Sequence, residues 1–76
     1  MDDFSQAYLR LETAERELVL AEDAFTRCLY RYLVGDGPAP SAQVTTEVLA
    51  RRSEAARALR ELRTALERCR RSIRLL

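Results

Sequence analysis

Apolar residues recur along the first half of this chain in a strict alternation of three and four. Phe4, Leu11, Leu18, Phe25 and Tyr32 stand seven apart, and Ala7, Ala14, Ala21 and Cys28 stand seven apart between them. An α-helix turns once every 3.6 residues. A repeat of 3.5 held over about four heptads therefore keeps its apolar seam turned to a neighbour only when two helices wind around each other. The pattern predicts an all-α chain and leaves no room for a strand period of two. The two sets also differ in size, one large and one small. Small positions let a partner backbone approach closely, and the large ones then require small residues opposite them.

The helix boundaries are marked by local signals. Helix 1 is predicted over about 3–34, with Asp3 and Gln6 spaced as a capping box and Gly35 suited to the left-handed position just past a helix end. Glu12 precedes Arg16 and Asp23 precedes Arg27 by four residues, the favourable order for ion pairs along a helix. Gly35-Asp36-Gly37-Pro38-Ala39-Pro40 holds both glycines and both prolines of the chain and marks a single turn over 35–41. Ser41 is placed to cap helix 2, predicted over about 41–75. A turn this short folds the helices back antiparallel. The expectation for 1–76 is a single domain, an antiparallel, coiled-coil-like two-helix hairpin.

Helix 2 repeats less cleanly. Thr45, Arg52, Leu59, Leu66 and Ile73 form one set, and Val48, Ala55, Leu62, Cys69 and Leu76 the other. Arg52 then stands as a charge on the seam, with Glu22 and Asp23 the nearest acids of helix 1 and more than a turn away. Its head is expected to snorkel outward or to meet an acid of another chain. Pairing residues whose numbers sum to about 80 sets large side chains against small ones in nearly every layer, which close packing favours. Ala14 then faces Leu66, Ala21 faces Leu59, and Phe25 faces Ala55.

A chain of 76 residues seldom builds a core worth more than about 3–5 kcal/mol alone, and recruits disulfides, a metal or another subunit. There is no histidine. Cys28 and Cys69 lie 41 residues apart, so no zinc-type cluster is expected from one chain, and no cofactor. The cysteines read as small buried core residues. In this register they lie roughly 25 Å apart at ~1.5 Å per residue, and in an antiparallel pair of hairpins Cys28 would approach Cys69 of the partner. Assembly with other helices is the remaining route to stability. Beyond its seam helix 1 carries far more apolar surface than one partner covers. That excess is densest near the turn, and Tyr8, Leu20, Leu29, Tyr30, Leu33, Val34, Val44, Val48 and Leu49 are the candidate protein-interaction residues. The expected assembly is a four-helix bundle, formed with a second copy (a homodimer) or with a helical partner protein.

The opening Met-Asp-Asp lacks a basic and then apolar leader, and the longest apolar run is Leu18–Ala21. Neither a signal peptide nor a membrane span is expected, and the location expected is cytoplasmic. Catalysis is not expected, because acid–base chemistry without histidine falls to Asp, Glu, Cys and Tyr, and no carboxylate occupies a seam position.

Net charge is +1 but unevenly spread. Residues 1–34 carry seven acids against four arginines, and residues 41–76 carry nine arginines against four glutamates. Arg57, Arg60, Arg63, Arg70, Arg71 and Arg74 occupy outward or flanking positions of helix 2 at spacings that place several on one stripe. They are the candidate nucleic-acid contacts, since a basic stripe tracks a phosphate backbone. In its packing pattern this heptad hairpin is similar to the Rop-type RNA-binding dimers, and small helical hairpins that serve as type III secretion co-chaperones are a comparable analogy. The expected function is a non-catalytic protein–protein interaction module, an adaptor or chaperone-like hairpin. A Rop-like RNA- or DNA-binding regulator using the arginines of helix 2 is the alternative.

Overall fold

A computed structural model describes residues 3–74, with side chains to Ile73. Two helices, α1 (Asp3–Leu33) and α2 (Ala42–Arg74), pack against each other as an antiparallel hairpin 64 Å long and about 15 Å across, with no strand among the described residues. None of its helices is long and apolar enough to cross a membrane.

The turn is built as its composition predicts. Gly35 takes φ +82°, the left-handed conformation that costs a residue with a Cβ but not glycine. Its N–H donates to the Tyr32 carbonyl at 3.1 Å, and the Asp36 N–H donates to the Arg31 carbonyl at 2.8 Å. This pair of bonds is the Schellman arrangement, which satisfies carbonyls that the end of α1 leaves open. The Ser41 hydroxyl accepts a hydrogen bond from the Val44 N–H at 3.3 Å, the reach of an N-cap to the third helical residue. At the other end Asp3 stands inside the first turn of α1, its carboxylate 3.6 Å from Arg68. The pairs Glu12–Arg16, at 3.2 Å, and Asp23–Arg27 form as their spacing predicts.

The register differs from the expected one. Four ion pairs cross between the helices: Asp3–Arg68 at 3.6 Å, Arg10–Glu61 at 3.8 Å, Glu17–Arg51 at 2.9 Å and Glu22–Arg52 at 3.2 Å. Their residue numbers sum to between 68 and 74, not about 80. Ala7 consequently shares a groove with Ala65, and Ala14 shares one with Ala58. All four alanines are buried, and Val48 is the only other buried apolar residue among those described.

The seam of α2 keeps Val48, Ala55 and Leu62 of one predicted row, but Val44, Arg51, Ala58 and Ala65 replace the other row one residue earlier. It runs through Val44, Val48, Arg51, Ala55, Ala58, Leu62 and Ala65, while Leu59, Leu66 and Ile73 are exposed. Alanine therefore faces alanine, correcting the expectation that large residues face small ones. Two physical terms favour the observed arrangement. Small residues on both sides let the backbones approach closely along the seam, and this register brings acids of α1 level with arginines of α2. Cys69 is also exposed, not core, and Cys28 is half-buried. Cys69 lies level with the start of α1, about 36 Å along the hairpin from Cys28 at ~1.5 Å per residue.

Candidate interaction face

The two long sides of the hairpin have opposite character. On one side, Arg10, Thr13 and Glu17 of α1 meet Glu54, Arg57 and Glu61 of α2 across a polar groove beside Ala14 and Ala58. It continues toward the open end past Asp3, Gln6, Thr64 and Arg68. On the other side the seven-residue rows bring apolar residues together. The row Phe4, Leu11, Leu18, Phe25 and Tyr32 of α1 runs along this side, with Leu59, Leu62 and Leu66 of α2 at the level of Phe4 and Leu11, Ile73 beyond them at the open end, and Val48 and Leu49 beside Phe25. Leu11, Leu18, Phe25 and Leu62 are half-buried, whereas Phe4, Tyr32, Leu59, Leu66 and Ile73 are exposed, Leu59 at 37% and Ile73 at 66%. Near the turn this side holds a groove lined by Phe25, Val48 and Leu49 and closed off by Glu22 and Arg52.

The face follows from the seam geometry. A helix that puts Ala58 and Ala65 into the seam must swing Leu59 and Leu66 one position, about 100°, to its side. On α1 the alanine row occupies the closest approach and pushes the large row to the same side. The hairpin thus spends its alanines on its own packing and leaves its leucines facing outward. Fully burying a leucine or phenylalanine is worth about 1.5–3 kcal/mol, and no large side chain of the described chain is fully buried.

The predicted interaction residues are distributed unevenly over this surface. Val48 is buried and Val44 half-buried within the helix–helix seam, so neither offers a free surface. Tyr8 and Leu29 border the apolar face on α1, and Leu49 borders it on α2. Leu20, Tyr30 and Leu33 are exposed on the outer and opposite sides of α1, with Leu33 at 71%, and Val34 is exposed just past its end. The exposed face residues outside the predicted interaction set are Phe4, Tyr32, Leu59, Leu66 and Ile73, which the heptad pattern assigns to the seam. On α2 the contrary signal is the run Ala55, Ala58, Leu62, Ala65, an equally regular repeat once alanine is counted as core.

The charged seam position is Arg51, not Arg52. Arg51 lies against Glu47 at 2.8 Å, Glu17 at 2.9 Å and Glu54 at 3.1 Å, with its side chain about one-third exposed. Glu47, foremost, then Glu54 and Glu17 raise the pKa of its guanidinium, with partial burial acting the other way. Arg52 finds Glu22 of its own hairpin at 3.2 Å. The expectation that α1 offers it no acid fails because the register moved Glu22 level with it.

The arginines of α2 do not form one stripe. Arg63 and Arg70, seven apart, follow the edge of the apolar face. Arg57 and Arg71, fourteen apart, follow the polar side, and Arg60 lies between these rows. All five are exposed, and the side chain of Arg74 lies outside the described residues. Arg70 pairs with Glu67 at 3.4 Å. Arg57, Arg60, Arg63 and Arg71 have no carboxylate within ion-pair distance among the described residues. No group of three or more Cys, Asp or Glu side chains among these residues is gathered as a metal site would require. Compared with protein-family models, curated proteins and solved structures, the chain matches none of them.

Proposed function

We propose that this chain is a non-catalytic protein–protein interaction module, a helical-hairpin adaptor whose apolar face is covered by other helices in a four-helix bundle. It self-associates, or packs in the same way against helices of a partner. One observation carries the reading: the hairpin buries four alanines and a valine in its own seam and leaves Phe4, Tyr32, Leu59, Leu66 and Ile73 exposed along one outer face. The area supports it. A compact monomer of 8.7 kDa exposes about 4,700 Å², while this hairpin exposes 6189 Å². The excess, on the order of 1,500 Å², is more than the ~800 Å² that each partner contributes to a standard interface.

Thermal unfolding followed by circular dichroism tests the proposal. When a second subunit covers the face, mass action makes the melting temperature rise with protein concentration, and a hundredfold range from about 2 to 200 µM reveals it. A melt that stays at one temperature over that range contradicts self-association.

A second reading, a Rop-like nucleic-acid binder, draws on the four arginines without carboxylate partners. They are divided among three rows, and Glu61 and Glu67 interrupt them. Binding driven by counterion release is strongest at low salt. A gel shift with random RNA and duplex DNA at about 50 mM salt therefore decides it, and the interaction-module reading expects no shift.

A further inference from the structure

The rims of the apolar face carry opposite charges. Along α1 the rim holds Glu15 and Glu22 and no arginine, and along α2 it holds Arg52, Arg63 and Arg70 and no acid. Glu22 and Arg52 are joined across the groove within the hairpin. Glu15 and Arg63 are exposed and have no ion-pair partner among the described residues. Charges that flank an apolar helical seam set the choice and orientation of partners.

Resting on the interaction reading above, we propose that the occupant of this face is a second copy of the chain, docked with both turns at the same end of the bundle. Two hairpins packed face to face are related by a twofold axis in the plane between them, and closed twofold pairs are the commonest assemblies. With the axis along the helices, α1 of each copy lies over α2 of the other. The acidic rim then meets the basic rim on both sides, and every neighbouring pair of helices is antiparallel. Turning the axis across the helices sets α1 over α1 and α2 over α2. Glutamate then meets glutamate and arginine meets arginine, with the turns at opposite ends. A face with one acidic and one basic rim is complementary to itself only in the first arrangement. The area that each copy has to cover, argued above, exceeds what such a pair needs. In this arrangement Glu15 of one copy stands about 9 Å along the axis from Arg63 of the other at ~1.5 Å per residue, within the combined reach of the two side chains. Cys28 and Cys69 of different copies lie at opposite ends and do not meet.

Two measurements on the full chain test the orientation. The first is a spin–spin distance from a label at Ala39→Cys in the exposed turn, with Cys28 and Cys69 replaced by alanine. Helices pack about 8–10 Å apart, so same-end docking puts the two labels within roughly 15–30 Å. Opposite-end docking separates them by nearly the length of α1, about 45 Å at ~1.5 Å per residue. The second is the dimer dissociation constant of Glu15→Arg in the otherwise native chain at low salt. Same-end docking sets the new arginine against Arg63 of the partner at two equivalent places. The constant then rises roughly 5- to 30-fold, and adding Arg63→Glu restores it. A dimer with distant labels that Glu15→Arg tightens overturns the same-end arrangement and leaves the interaction reading standing. A folded monomer overturns the interaction reading itself.

Discussion

Replacing Ala14 with leucine adds three carbons to the tightest part of the seam. Ala14 is 8% exposed and shares its groove with Ala58, itself 5% exposed. With alanine on both sides, no neighbouring side chain can withdraw to make room, so the helices must separate. Leucine forms helix almost as readily as alanine, so local propensity contributes little. Overpacking of this kind costs about 1–3 kcal/mol. For a domain of this size each kcal/mol moves the melting temperature by roughly 4–8 °C, which gives a fall on the order of 5–20 °C. Circular dichroism melts at one fixed concentration measure it. The control is Ala50→Leu, at an exposed position of α2, which should melt within a degree or two of the native chain. If Ala14→Leu melts at or above the native temperature, alanine does not face alanine there and the assigned register is wrong.

Gly35→Ala should lower the melting temperature by roughly 5–15 °C. Nothing lies within 4 Å of the added Cβ, so the cost is the left-handed backbone alone, about 1–2 kcal/mol; Gly35→Asn should lose less, and equal melts for all three would refute the strained-turn argument. Arg51→Ala leaves Glu17, Glu47 and Glu54 gathered without a cation and should reduce the melting temperature more than Arg52→Leu does. Because the pKa of Arg51 is raised in the folded state, its contribution is fully present below its unfolded pKa and lost only as pH rises through the folded one. The extra sensitivity of the Arg51→Ala melt should accordingly hold from neutrality to pH 10. Arg52→Leu removes one exposed ion pair, worth about 0–1 kcal/mol, while enlarging the apolar face. It should stay folded and remain associated, and dissociation of that variant into monomers would count against the face.

The all-helical hairpin, the Gly35 stop, the Ser41 cap and the two pairs along α1 were all legible in the residues, because each depends on neighbours within a few positions. The register and the phase of α2 were not. Both depend on competition between two nearly equivalent repeats, one containing Leu59, Leu66 and Ile73 and the other Ala58 and Ala65. Ranking residues by hydrophobicity selects the leucines. The fold selects the alanines, because close backbone approach and the four cross-helix ion pairs act together over the whole length of the seam. The same ranking hides the candidate face, since it assigns the residues that form it to the interior. Tyr8, Leu29 and Leu49 border that face in either phase. Val44 and Val48 were misplaced as surface because the seam near the turn passes through them.

The central claim is that the large apolar residues along one face are covered by another subunit. Sedimentation equilibrium across the micromolar range tests it most directly, with native protein beside Leu66→Glu, which sets a charge on the face without touching the alanine seam. The account predicts twice the 8.7 kDa of one chain for the native protein and a folded single chain for the variant. A native protein that sediments as a helical monomer throughout, or a variant that dimerises as tightly as the native chain, would contradict it.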